Sequence, residues 1–189
     1  MFRLALFASG SGTNVQNICE YFQNHNSIKP EIVLSDKEDA YALERAKHLN
    51  VKSEYFNYIT TSSEVLLEKI KDHKVTHIIL AGYLRLVPSK IIKTFKNKIL
   101  NIHPSLLPKF GGKGFYGQHV HKSVLESNEP ESGITIHLVN EKYDEGKILF
   151  QKSTPIFDND DVASLSSRIH NLEYKYYPQI IEKYLLNQL

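Results

Sequence analysis

Short apolar runs alternate with helical patterns along the first half of the chain, and this alternation constrains the fold more than any other feature. RLALFA is followed by the turn SGSG and the helical stretch NVQNICEYFQN. EIVLS, after Pro30, leads into AYALERAKHL, and SEYFN is a third strand candidate. TSSEVLLEKIKDH follows, in which Thr61 and Glu64 have capping-box spacing. HIILA, then PSKIIKTFK with Pro88 at a helix-compatible first position, then ILNIH complete the series. Strands and helices at this spacing are βαβ units, which pack as a mainly parallel twisted sheet with helices on both faces. The order of the strands is not contained in the pattern.

After Pro108 the rhythm changes. KFGGKGFYG, residues 109 to 117, holds four glycines and is expected to be a mobile loop. QHVHKSVLES reads as a helix. SGITIHLV and ILFQKSTPI read as strands joined only by NEKYDEG, which implies an antiparallel pair finishing the sheet. Residues 160 to 186 have helical periodicity, with a bend expected at Pro178. No linker, repeat or low-complexity tract interrupts the chain, so one α/β domain over residues 1–189 is expected.

Composition removes several function classes. A net charge of +2 gives no reason to expect a nucleic-acid or membrane partner. The single cysteine, Cys19, rules out an internal disulfide and a multi-thiolate zinc site, and suits a reducing compartment. Cys19 lies in an amphipathic helical pattern and is expected to be a buried packing residue. The opening apolar run, Leu4 to Ala8, is too short for a signal peptide and nothing approaches the roughly 18 apolar residues of a membrane span. A cytoplasmic location is expected.

Three stretches suggest chemistry. SGSGTN, Ser9 to Asn14, places a glycine turn between the first strand and first helix, where exposed N–H groups and the helix dipole favour an anion. Val15 breaks the dinucleotide fingerprint, and no Walker-type Gly-Lys-Ser/Thr follows, so a single phosphate fits best, with a ligand-free turn as the alternative. In KILNIHPSLLP, Asn101 and His103 interrupt an apolar strand just before Pro104. Residues i and i+2 of a strand share a face, and ligands of open parallel sheets sit beyond the strands' carboxyl ends. An amide and an imidazole there suit oxyanion stabilisation and proton transfer, although the pattern alone fits a structural histidine equally well.

Glu141, Asp144 and Glu145 crowd VNEKYDEG, and one of them could fold back to hold a histidine protonated instead of facing solvent. His119 and His121 do not share a helix face, which argues against a metal site. His137 alternates with Ile136 and Leu138 and reads as structural.

ASGSGTN, LAGYLRLVP, NIHPSLLPKF, YDEGKILFQ and RIHNLEYKYYP together resemble the small glycinamide ribonucleotide transformylases (phosphoribosylglycinamide formyltransferases) along nearly the whole chain. The resemblance implies a Rossmann-like formyltransferase fold and transfer of a formyl group from 10-formyltetrahydrofolate, a co-substrate, to the amine of glycinamide ribonucleotide in purine biosynthesis. It implies a catalytic trio of Asn101, His103 and Asp144, with no metal. It places the ribonucleotide phosphate on Gly12, Thr13 and Asn14, adds Glu173 as a ribonucleotide contact, and puts the pterin on Leu84, Arg85, Leu86 and Val87 as well as Asn101. It leaves a homodimer open.

Two features depart from the family. Many members carry an arginine near residues 62 to 64 that reaches the folate; here the stretch is TTSSEVLL. The GGKGFYG loop is longer than in some relatives, and Lys113 is expected to do nothing specific there. Competing readings are another folate-dependent formyltransferase, a formyl-folate hydrolase, or a phosphate-binding module without catalysis. Methionyl-tRNA formyltransferase would need a further C-terminal domain and a basic surface, and a hydrolase usually an N-terminal regulatory domain, so neither is expected here. A dinucleotide dehydrogenase is opposed by the broken fingerprint.

Overall fold

The computed structural model describes residues 1–189. It divides into two compact units, Met1–Leu100 and Asn101–Leu189. The first contains β1 (Phe2–Ala8), α1 (Thr13–Phe22), β2 (Ile28–Ser35), α2 (Tyr41–His48), β3 (Lys52–Tyr55), α3 (Ser63–Asp72), β4 (His77–Leu80) and α4 (Ser89–Thr94). β5 (Ile99–His103) runs across the boundary, and the second unit continues with α5 (Gln118–Glu126), β6 (Glu131–Leu138), β7 (Ile148–Pro155) and α6 (Val162–Leu185). The strands are hydrogen-bonded in the order β3-β2-β1-β4-β5-β6-β7.

In the first unit β1 pairs in parallel with both β2 and β4, and β2 with β3. β1 is therefore a central strand, and Leu4 to Ala8 are fully buried, which explains why its sequence is a continuous apolar run rather than an alternation. The chain runs outward from β1 to β2 and β3, then returns to β4 on the other side of β1. With right-handed crossovers, that reversal places α1 and α2 on one face and α3 and α4 on the other. It also makes the carboxyl ends of β1 and β4 the point where the strand order reverses, the usual ligand crevice of such sheets.

In the second unit β6 and β7 form the expected antiparallel pair, from Glu131 opposite Pro155 to His137 opposite Ile148. The fold is the expected mixed, mostly parallel sheet with an antiparallel C-terminal pair.

Two boundaries differ from the sequence reading. β2 begins at Ile28, before Pro30 rather than after it. The β1–β2 register shifts between Leu4 and Ala5, and β3 pairs only from Ile32 onward, so Pro30 needs no ladder partner on that side. The cap of α3 is Ser62, whose side chain accepts from the Val65 N–H, not Thr61. Asp161 and Ser164 form a capping box at the start of α6, which continues as a single helix through Pro178. No helix is long and apolar enough to cross a membrane.

Candidate active site

The second unit brings three of the predicted residues together. Asn101 and His103 project from the same face of β5, as the period of two requires. Asp144 returns to them from the β6–β7 connection. The backbone makes that return possible in two ways: Asp144 itself has a positive φ of 55°, and Gly146 packs so tightly on the Leu138 carbonyl that a Cβ would lie 1.6 Å from its oxygen. Asp144 Oδ1 takes a long hydrogen bond from Asn101 Nδ2 at 3.4 Å, while Oδ2 faces His103 Nδ1 at 3.5 Å and accepts from the Gly112 N–H at 3.0 Å. Each carboxylate oxygen thus serves one of the two strand residues.

The His103 ring is buried, and its Nε2–H donates to the Phe110 carbonyl at 2.7 Å. Burial pushes its pKa down; the Asp144 carboxylate and the Phe110 carbonyl pull it up, and His137 pushes it down again, leaving it below the ordinary value. This runs against the expectation of an imidazole held cationic by its aspartate, because desolvation outweighs a carboxylate 3.5 Å away. Burial pushes the Asp144 carboxyl up, but the His137 and His103 rings and the Gly112 N–H bring it below the ordinary carboxylate value. Asp144 therefore stays ionised, and with Nε2–H committed to Phe110 it faces Nδ1, the nitrogen of His103 that gains a proton in the imidazolium.

Sequence reasoning missed His137, which it took as structural. Its Nδ1–H donates to the Leu138 carbonyl at 2.9 Å, which leaves Nε2 as an acceptor 3.1 Å from Asn101 Nδ2 and 3.6 Å from Asp144 Oδ1. The ring is fully enclosed and fixes the orientation of the Asn101 amide. The available signal was its place on a strand that leads directly into the acidic connection.

The exit from His103 is held by a buried polar knot. Thr135 Oγ1 donates to the Ser105 carbonyl at 2.7 Å and accepts from the Leu107 N–H at 3.0 Å. Gln151 Nε2 donates to both Thr135 Oγ1 and the Leu107 carbonyl, at 2.9 and 3.0 Å. This knot sets the turn whose Phe110 carbonyl meets His103. His119 is exposed beside Tyr116, His121 is buried, and no three residues of metal-ligating type come together. Lys113 is exposed in its loop, and Glu173 is a buried carboxylate on α6 beside Tyr177.

The phosphate-turn residues and the Leu84–Val87 segment lie in the first unit. Gly12 caps α1 in a left-handed conformation, φ 72°, and a Cβ there would lie 2.5 Å from the Ala42 Cα. Gly10 has open space around it, so the fold itself does not demand glycine at that position. Thr13 and Asn14 are the first two residues of α1, whose first turn carries no acidic residue. The turn is closed by the Ala42 N–H, which donates to the Gly10 carbonyl, and by Arg45 Nε, which donates to the Ser11 carbonyl at 2.8 Å. Arg45, a cation beside the turn, was not singled out by sequence. Leu84 to Val87 follow β4 outside any helix or strand, with Leu84 exposed and Val87 buried.

Comparison with known proteins identifies the family. The formyl transferase family model matches residues 2–181. Phosphoribosylglycinamide formyltransferase of Bacillus subtilis is 35% identical over 98% of this chain and 95% of its own length. The chloroplastic phosphoribosylglycinamide formyltransferase of Arabidopsis thaliana is 39% identical over 95% of this chain, which spans 64% of that relative. Among solved structures, glycinamide ribonucleotide transformylase 1 from Symbiobacterium toebii superposes with a TM-score of 0.87 at 36% identity, covering 96% of this chain and 86% of that one. The chain belongs to the formyl transferase family, and the proteins it matches along almost its whole length include phosphoribosylglycinamide formyltransferases.

Proposed function

We propose that this protein transfers the formyl group of 10-formyltetrahydrofolate to the primary amine of glycinamide ribonucleotide, directly and through a tetrahedral intermediate, as a step of de novo purine biosynthesis. The observation that carries the reading is the Asn101–His103–Asp144 cluster at the end of β5, in a chain of the formyl transferase family. The amine attacks the formyl carbon, and negative charge develops on the formyl oxygen. Asn101 Nδ2 has two hydrogens; His137 holds one, and the other, now in a long bond to Asp144, turns to the oxyanion. His103 gives up its bond to the Phe110 carbonyl and donates Nε2–H to the same oxygen. The ring takes up one proton from water at Nδ1, toward ionised Asp144, as the substrates bind, and the charge growing on the oxyanion keeps it there against the cost of burial. A water held between these groups carries the proton from the attacking amine to the departing folate nitrogen. No covalent enzyme intermediate is required.

Substrate placement extends the same reading. Gly12, Thr13 and Asn14 take the ribonucleotide phosphate at the N-terminus of α1, with Arg45 close by, and Glu173 contacts the ribonucleotide. Leu84, Arg85, Leu86 and Val87 receive the pterin, in part through their backbone. Residues 1–189 act as one formyltransferase domain, a reading supported by the single family model over residues 2–181, and they do so in the cytoplasm without a metal or nucleic acid.

The test is a spectrophotometric assay with glycinamide ribonucleotide and a 10-formyl folate. Turnover that needs both substrates is expected. Deformylation without the ribonucleotide would identify a hydrolase, and no reaction by folded protein would overturn the proposal.

A further inference from the structure

Leu84 to Leu86 lack regular secondary structure, yet side chains from three other parts of the first unit hold each of these residues. The Leu84 N–H donates to Ser9 Oγ at 3.0 Å, and Ser9 Oγ donates to Asp36 Oδ1 at 2.5 Å. The other oxygen, Asp36 Oδ2, accepts from Arg85 Nε at 3.1 Å. The Tyr58 hydroxyl donates to the Leu86 carbonyl at 3.3 Å, and its ring lies under the Arg85 guanidinium, 5.3 Å from centroid to carbon. Ser9 follows β1, Asp36 follows β2 and Leu84 follows β4, so the network spans neighbouring strand ends at the point where the strand order reverses.

Burial decides how this network should be read. The Asp36 side chain is 1% exposed and Ser9 is 3% exposed, whereas the Arg85 side chain is 51% exposed. An enclosed carboxylate is costly unless both oxygens are satisfied. Here one oxygen is spent on Ser9 and the other on Arg85, and both of those partners belong to, or bond directly to, the 84–86 segment. Ser9 is also the first residue of the glycine turn, and its own N–H donates to the Gly82 carbonyl at 2.9 Å. The turn is therefore joined to the segment at Leu84 and to the chain just before it at Gly82, and Asp36 locks the first junction.

We propose that Asp36 is a positioning residue which, through Ser9 and Arg85, holds the Leu84–Leu86 backbone in its folate-receiving conformation and couples it to the glycine turn that takes the ribonucleotide. The assignment rests on the substrate placement given above. It separates two sets of contacts: Asp36 serves both substrates, because Ser9 belongs to the turn as well, while Tyr58 touches only the folate segment.

The test combines steady-state kinetics with amide hydrogen exchange. Asp36→Ala should raise KM for the formyl folate about tenfold and for the ribonucleotide about threefold, the size of one or two lost hydrogen bonds, while kcat changes less than about twofold. Asp36→Asn keeps an acceptor for Ser9 but presents an N–H to Arg85, and should recover most of the ribonucleotide KM while the folate KM stays raised. Tyr58→Phe loses only a half-buried hydroxyl and should raise the folate KM about threefold with the ribonucleotide KM unchanged. In the unliganded protein, exchange at the Leu84 amide should be about tenfold faster in Asp36→Ala than in wild type. Unchanged exchange, unchanged KM values, or a fall confined to kcat would each overturn the proposal. If Asp36→Ala does not fold, Asp36→Asn and Tyr58→Phe decide it. Failure of the underlying placement reads differently: in wild type, formyl folate would then leave the Leu84–Val87 amides unprotected.

Discussion

The glycine turn and the Asn101–His103–Asp144 cluster are both built at strand ends, but they are held in opposite ways. Around the turn, short bonds tie down backbone groups: Leu84 N–H to Ser9 Oγ, Arg45 Nε to the Ser11 carbonyl, Ala42 N–H to the Gly10 carbonyl. In the cluster, the three side chains around the Asp144 carboxylate reach it at long range, 3.4 Å from Asn101, 3.5 Å from His103 and 3.6 Å from His137, while their short bonds, 2.7 to 3.1 Å, go to Phe110, to Leu138 and between Asn101 and His137. A backbone tied at several points has one conformation and suits a preformed binding surface. Groups gathered around one carboxylate by long contacts can exchange partners cheaply, which suits atoms that must turn toward charge appearing during a reaction.

The largest effect should come from removing a donor in the loosely held cluster. Asn101→Ala is expected to lower kcat by about 10²–10³, the usual cost of one oxyanion donor, and to cost about 1–2 kcal/mol of stability, from the 3.1 Å bond to buried His137. A collapse of stability with kcat preserved would show that the cluster is structural and would erase the contrast.

Glycine substitutions probe the backbone of each region. Gly146→Ala should destabilise by about 3 kcal/mol or more, since the new methyl meets the Leu138 carbonyl, a rigid group, and it should move Asp144 and depress kcat. Gly12→Ala should cost about 2 kcal/mol, from its left-handed φ and the approach of Ala42, and should raise the ribonucleotide KM with kcat preserved. Urea melts with paired kinetics check both. A kcat effect from Gly12→Ala, or a KM effect alone from Gly146→Ala, would reverse the roles given to the two regions.

The same contrast explains what was legible in the sequence. The strand–helix alternation was readable because period and turn chemistry are local, and the antiparallel finish was readable because NEKYDEG is too short for a crossover. Asn101 and His103 stood out because polar residues broke an apolar strand. His137 did not stand out: a lone histidine inside ITIHL looks like a packed core residue, and only tertiary folding brings it to Asn101. The Ser9–Asp36–Arg85 network was hidden for a related reason, because its partners come from separate strand ends and no spacing rule connects them. The Thr61 capping box failed by one residue. Ser62 and Thr61 are equivalent as cap chemistry, and only the helix start decides between them.

Acid sensitivity should be smaller and shared by both units. Burial, aided by the Lys98 charge, pushes His77 in the first unit down to about 4. Burial, aided by His170 and His103, does the same to His121 in the second. Both rings are neutral in the folded chain where the unfolded chain binds protons, so stability is complete above about pH 6.5 and falls as pH drops toward 4. The loss should be about 2 kcal/mol for enclosed His121 and about 1 kcal/mol for the more exposed His77, where solvent screens the charge. His121→Leu should flatten its share of the fall, since its Nδ1 is buried without a partner. Urea midpoints at pH 7.5, about 6 and about 5 measure this, and a profile flat down to about pH 5 would contradict it.

The smallest effect calibrates the contrast itself. Ser62 Oγ accepts one backbone N–H, from Val65, at an exposed helix start with no cluster around it. Ser62→Ala should therefore cost about 1 kcal/mol, and Thr61→Ala close to nothing, by thermal or urea unfolding. Ser9 makes the same kind of bond to Leu84, but buried and linked to Asp36, where a lost partner leaves desolvated groups behind. Ser9→Ala should consequently cost more than Ser62→Ala. If the two costs are equal, the turn is not held by its buried network, and the rigidity assigned to it must come from the glycine and helix geometry alone.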